Sequence, residues 1–135
     1  MQNKILKILT IITVIFTALP VMAEGTSAPE TSALTVPRVI AAEECTKMFG
    51  MNKENLLLLT LGAAGANNFT VEEIQTECGY VIFSAARNKY LATVAGIDDS
   101  NSILKITPCN NIYYFQPGII VNMFKFVELN RNSGK

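Results

Sequence analysis

Cys45, Cys78 and Cys109 carry the most reactive side chains in this sequence, and their spacing decides what they can do. They lie 33 and 31 residues apart, and no two form a C-x-x-C pair. A structural zinc site groups its cysteines at short spacing, so no metal site is expected. Three alternatives stay open: one disulfide with one free thiol, a cross-linked dimer, or three buried thiols acting as small hydrophobes. The chain has no histidine. That removes Ser-His-Asp and Cys-His catalysis, His-ligated zinc and the usual base near neutral pH. Paired carboxylates can still do acid/base work. The acids here stand mainly in short runs, Glu43-Glu44, Glu72-Glu73 and Asp98-Asp99, which mark solvated turns or helix starts. No catalytic residue, no cofactor and no enzymatic activity is therefore expected.

The remaining stretch with binding chemistry is Ile106–Gly118, ITPCNNIYYFQPG. Tyr113, Tyr114 and Phe115 follow one another between a strand and a proline-started helix. Three consecutive side chains of an extended segment cannot share one face. At least one ring should therefore point away from the core, as an aromatic with a polar tip does at an interface. These three, with Met123 and Phe126 of the last helix, are the candidate interface.

The N-terminus speaks to location. Two lysines precede the apolar run Ile8–Leu19, then Pro20 and Val21-Met22-Ala23 stand ahead of Glu24. This is the pattern of a secretory signal peptide at residues 1–23, and the run is shorter than the about 20 residues of a membrane span. Export to the periplasm or the medium is expected. Residues 24–36 are rich in Ser, Thr, Pro and Glu and read as a flexible leader. A single domain then spans 37–130, with a short tail at 131–135. Residues 24–135 hold nine basic and eleven acidic side chains, with no basic face for nucleic acid. About 110 residues suffice to bury roughly two-thirds of the unfolded surface without staples.

Several elements must position these residues. Pro37 followed by Val39, Ile40, Ala42 and Cys45 spaces like a short helix over 37–49, stopped by Gly50. Asn52 caps a second helix with Glu54 in its first turn. Five leucines between Leu56 and Leu61 make it apolar all round, and Gly62 and Gly65 would admit a neighbouring backbone. Residues 69–77 fit a capped helix or a strand, and the strand is favoured because 80–85 would complete a hairpin. Asn68-Phe69-Thr70 is also a glycosylation sequon. Residues 80–85, 89–96 and 102–107 are rich in strand formers and separated by turn residues. Val81, Phe83, Leu104 and Ile106 are the core candidates. The last element, PGIIVNMFKFVELN, is a helix with a narrow polar stripe of Asn122, Lys125 and Glu128.

The expected fold is α+β, with helices packed on one face of a four-stranded antiparallel meander sheet and the C-terminal helix closing the core. The run from Asn68-Phe69-Thr70-Val71 through an acidic turn to Gly79-Tyr80-Val81-Ile82-Phe83 resembles small exported bacterial domains of the helix-grip kind, found in outer-membrane assembly lipoproteins and other families. The resemblance implies the fold and an envelope setting, and brings no catalytic residues. Two functions are expected in order. The first is a non-enzymatic binding or envelope-assembly module with a protein partner or a second copy. The second is binding of a membrane surface, a lipid or a small apolar ligand. Interfacial helices usually carry several basic residues, and the last helix offers only Lys125 against Glu128.

Overall fold

The computed structural model describes residues 33–132, and Val36–Lys135 forms one compact unit. The expected signal peptide, most of the leader and the last three residues of the tail lie outside the described residues. Residues 33–35, assigned to the leader, form one helical turn.

The elements run β1 (Arg38–Val39), a 3-10 turn (Ala42–Cys45), β2 (Thr46–Phe49), α1 (Lys53–Ala66), β3 (Thr70–Gln75), β4 (Tyr80–Ala85), β5 (Asn88–Asp98), β6 (Asn101–Pro108), β7 (Tyr114–Phe115) and α2 (Gly118–Asn130). The main sheet has five strands in the order β2-β6-β5-β4-β3, and every neighbouring pair is antiparallel. The α+β class and the antiparallel sheet agree with the sequence reading. The strand count does not, because β2 adds a fifth strand and β1 pairs with β7 in a separate ribbon.

Both additions come from the segment read as a helix over 37–49. Its apolar spacing fits a helix only if no partner strand exists. β6 offers its outer edge, and Thr46–Phe49 pairs along it from Lys105 to Ser102. Val39, Ile40 and Thr46 are β-branched and lose less by lying extended. A side-chain clamp fixes the bend between the two strands. The Ala41 N–H donates to Glu44, and the Arg38 guanidinium donates to both oxygens of the same carboxylate. The Arg38 hydrogen bonds, with the Ala41 N–H, hold the Glu44 carboxyl at about 2.

The second helix forms as its signals suggest. The Asn52 side chain accepts the Asn55 N–H, and Asn67 follows the last turn. It crosses from one edge strand, β2, to the other, β3. Leu56, Leu57, Thr60, Ala63 and Ala64 are buried. Leu58 is 65% exposed, so the helix is covered on fewer sides than five leucines suggested. The Thr60 hydroxyl is satisfied by the Leu56 carbonyl at 2.7 Å. Gly62 admits a ring instead of a backbone: an added Cβ would lie 3.2 Å from Phe126. Around Gly65 nothing lies within 4 Å. Gly65→Ala should therefore stabilise the domain by about 0.5–1 kcal/mol through helix propensity, read as a higher urea midpoint with an unchanged slope.

Residues 70–75 form a strand, as favoured, and a bulge sits between Val71 and Glu73. The β4–β5 connection has only Ala86 and Arg87, both with positive φ, which matches the twist of a tight hairpin. The buried face of the sheet carries Val81, Phe83, Tyr90, Ala92, Val94, Leu104 and Ile106 under the two helices. A row of rings runs through it: Phe69 on Phe83, Phe83 on Tyr90, and Tyr90 edge-on to Phe115, with centroids 5.4, 5.6 and 5.2 Å apart.

Candidate functional site

β2 is an edge strand, paired only with β6. Its outer N–H and C=O groups have no strand partner among the described residues. The opposite edge differs in kind. β3 carries Glu72 and Glu73 and a bulge, the devices that stop a sheet from growing. β2 has neither a bulge nor an acid; its guards are its four-residue length and Lys47, and an acidic partner would neutralise the lysine.

Beside β2 runs α2, which starts after Pro117 and ends where the Asn130 side chain donates to the Phe126 carbonyl. Its buried face seats Ile119, Ile120, Met123, Phe124 and Val127. Its outer face holds the expected stripe of Asn122, Lys125 and Glu128, widened by Val121 at 42% and Leu129 at 73% exposure. Between this face and Lys47 lies an open cleft of about 440 Å³, lined by Lys47, Val121, Phe124, Lys125, Glu128 and Leu129. Val121 also lines a small pocket with Ile40 and Pro117, so the apolar band continues toward the start of α2.

The cleft is more basic than its composition suggests. Glu128 is engaged twice, by Lys47 at 3.9 Å and by Arg131 at 3.2 Å. Lys125 has no ion pair among the described residues. The Lys47 ammonium also lies 5.5 Å from the centre of the Phe49 ring. An apolar floor, a free cation and unpaired backbone groups can together receive an extended chain with apolar and acidic side chains.

The candidate interface read from the sequence is divided by the fold. Phe115 is buried against Tyr90, and Met123 is fully buried; neither can be offered to a partner. Tyr113 and Phe126 are half-buried against the core. Tyr114 is 57% exposed and faces Val39 across the β1–β7 ribbon. Of the five, Tyr114 alone stands clear of the core. The sequence reading missed Lys47, because β2 was assigned to a helix. On the last helix it chose Met123 and Phe126 and passed over Val121 and Leu129. The signal that could have found them is the pair of apolar residues flanking the polar stripe.

The cysteines separate widely. Cys45 is buried, whereas Cys78 and Cys109 are exposed, and all three are free. The Cys109 N–H donates to Lys89 at one end of β5, and Gly79, next to Cys78, accepts from Val94 near the other. Five residues of strand put these two cysteines about 17 Å apart along the sheet. Cys45 precedes β2, three strands away from β4, and three residues of β6 part it from Cys109. A disulfide needs Cα atoms within about 7 Å, so no pair can bridge within one copy. Burial pushes the Cys45 thiol up, against thiolate chemistry. Among the described residues, no three His, Cys, Asp or Glu side chains gather as metal ligands, and no helix is long and apolar enough to cross a membrane. Comparison with models of known protein families and with curated proteins finds no match for the chain.

Proposed function

We propose that this chain is an exported, non-enzymatic binding module of the cell envelope, and that it captures an extended polypeptide segment by strand addition to β2. One observation carries the reading: an edge strand with no second strand partner among the described residues lies directly beside a cleft with an apolar floor. Strand addition draws affinity from main-chain hydrogen bonds and specificity from pockets for alternate side chains. Here one set of partner side chains enters the cleft toward Val121, Phe124 and Leu129. The other set lies over Thr46 and Met48 on the opposite face. Lys47 and Lys125 select a partner with acidic residues.

The reading is tested by NMR titration with an eight-residue strand-forming peptide containing two glutamates among valines and threonines. Its control carries lysine in place of both glutamates. The acidic peptide is expected to shift Thr46–Phe49 and Val121–Leu129 saturably and to bind at least about tenfold more tightly, or about 1.4 kcal/mol. The double variant Lys47→Glu/Lys125→Glu should reverse the preference. Shifts absent with both peptides, or confined to the ribbon around Tyr114, would refute it.

A further inference from the structure

The sheet face away from the helices is divided by charge in a way the strand-addition site does not use. Register places Tyr80, Ile82 and Ser84 of β4, Lys89, Leu91 and Thr93 of β5, Lys105 and Thr107 of β6, and Glu73 of β3 on this open face. Solvent-facing positions of an antiparallel sheet are normally polar. Here the middle is apolar: Ile82 and Leu91 are direct cross-strand partners and only half-buried. Lys89 and Lys105 lie on the β5–β6 side, both exposed and in no ion pair among the described residues. Glu72 and Glu73 lie on the β3 side. Among the described residues, their carboxylates accept hydrogen bonds from the hydroxyls of Ser84 and Tyr80. The face is therefore basic on one side, acidic on the other and aliphatic along the seam.

We infer that this face binds a second copy of the same chain, about a two-fold axis that runs parallel to the strands between β4 and β5. Such an axis preserves position along the strands and exchanges the two halves. The β5 side of one copy then covers the β4 side of the other. Leu91 meets the partner's Ile82, and by symmetry Ile82 meets the partner's Leu91. Lys89 falls over the partner's Ser84, whose hydroxyl is bonded to Glu72. Lys105 falls over the partner's Gln75, one pleat from Glu73. An axis perpendicular to the strands would set the basic side of one copy over the basic side of the other, and acidic over acidic. Aligned sheets pack in this manner about 10 Å apart. Four strands at about 4.8 Å and six residues at about 3.3 Å make a face roughly 20 Å square. That is smaller than the about 800 Å² per partner of a standard interface, so the dimer should be weak, micromolar and salt-sensitive. β2 lies outside the overlap, and the dimer leaves the strand-addition site open.

Sedimentation velocity from about 5 to 200 µM tests this. The wild-type chain is expected to dimerise at low salt and to weaken at least about fivefold in 0.5 M NaCl. Lys89→Glu/Lys105→Glu leaves only acids on the face, and Glu72→Lys/Glu73→Lys leaves only bases. Each double variant, folded by circular dichroism, should be monomeric alone. Mixed one to one, the two should form a heterodimer, because both halves of the interface then pair opposite charges. A monomeric wild-type chain at 200 µM and low salt overturns the proposal. So does a dimer that both variants leave intact, or a mixture that stays monomeric.

Discussion

Replacing Phe83 by alanine should remove about 3–5 kcal/mol of stability, the largest effect expected from any single change in this domain. Phe83 is fully buried at the centre of β4, and its ring lies between those of Phe69 and Tyr90. Truncation deletes two ring contacts and opens a cavity. The rings come from the loop after α1 and from β5, held by backbone hydrogen bonds, so they cannot close on it. A domain of this size is stable by about 5–15 kcal/mol in all, so the loss approaches its whole margin. Tm should fall by about 15–25 °C, at roughly 5 °C per kcal/mol. Phe83→Leu, which keeps most of the volume, should cost only about 1–2 kcal/mol. Urea unfolding of both variants measures the difference. A Phe83→Ala cost below about 1.5 kcal/mol would mean that the ring row is not the centre of the core.

The second large effect is expected at Gly79, where the obstacle is backbone geometry and not volume. Gly79 closes the turn between β3 and β4 with φ of +76°. Its N–H donates to Gln75, and its carbonyl accepts from Val94 at 2.7 Å. A side chain in this left-handed conformation costs about 1–2 kcal/mol. An added Cβ would also stand 2.6 Å from Cε of Lys53 and 2.7 Å from the Val94 carbonyl oxygen. The lysine can swing away, but the carbonyl is fixed in β5. Overpacking of this kind costs about 1–3 kcal/mol. Gly79→Ala should therefore destabilise by about 2–4 kcal/mol in urea unfolding. A loss under 1 kcal/mol would show that the turn can move independently of β5. Gly65→Ala, with open space and an ordinary helical φ, should have the opposite sign. The same substitution thus separates a conformational requirement from a mere propensity.

Much of the fold was legible because its signals are local. The cap at Asn52, the leucine run and the Asn67-Asn68 stop delimit α1 to within a residue. The strand-rich segments from Tyr80 to Pro108 reveal themselves by alternation: Val81 and Phe83 inward, Leu104 and Ile106 inward. Pro117 marks the start of α2. The absence of histidine and the spacing of the cysteines bound the chemistry before any coordinates. Residues 37–49 failed because their conformation is decided by a partner about sixty residues away. The edge of β6 converts an apolar spacing that suits a helix into the strand β2. Exposure within the candidate interface was illegible for the same reason. Tyr113, Tyr114 and Phe115 are adjacent in sequence, yet register and the Tyr90 ring send Phe115 inward and leave Tyr114 outside. Val121 and Leu129 are as apolar as their buried neighbours, and only the position of α1 and the sheet leaves them uncovered. Local composition therefore determined which segments can fold and which side-chain chemistries the chain has at hand. The edge left open, the cleft beside it and the charge-divided face arise from contacts between distant segments, because exposure belongs to the packed molecule and not to any residue in it.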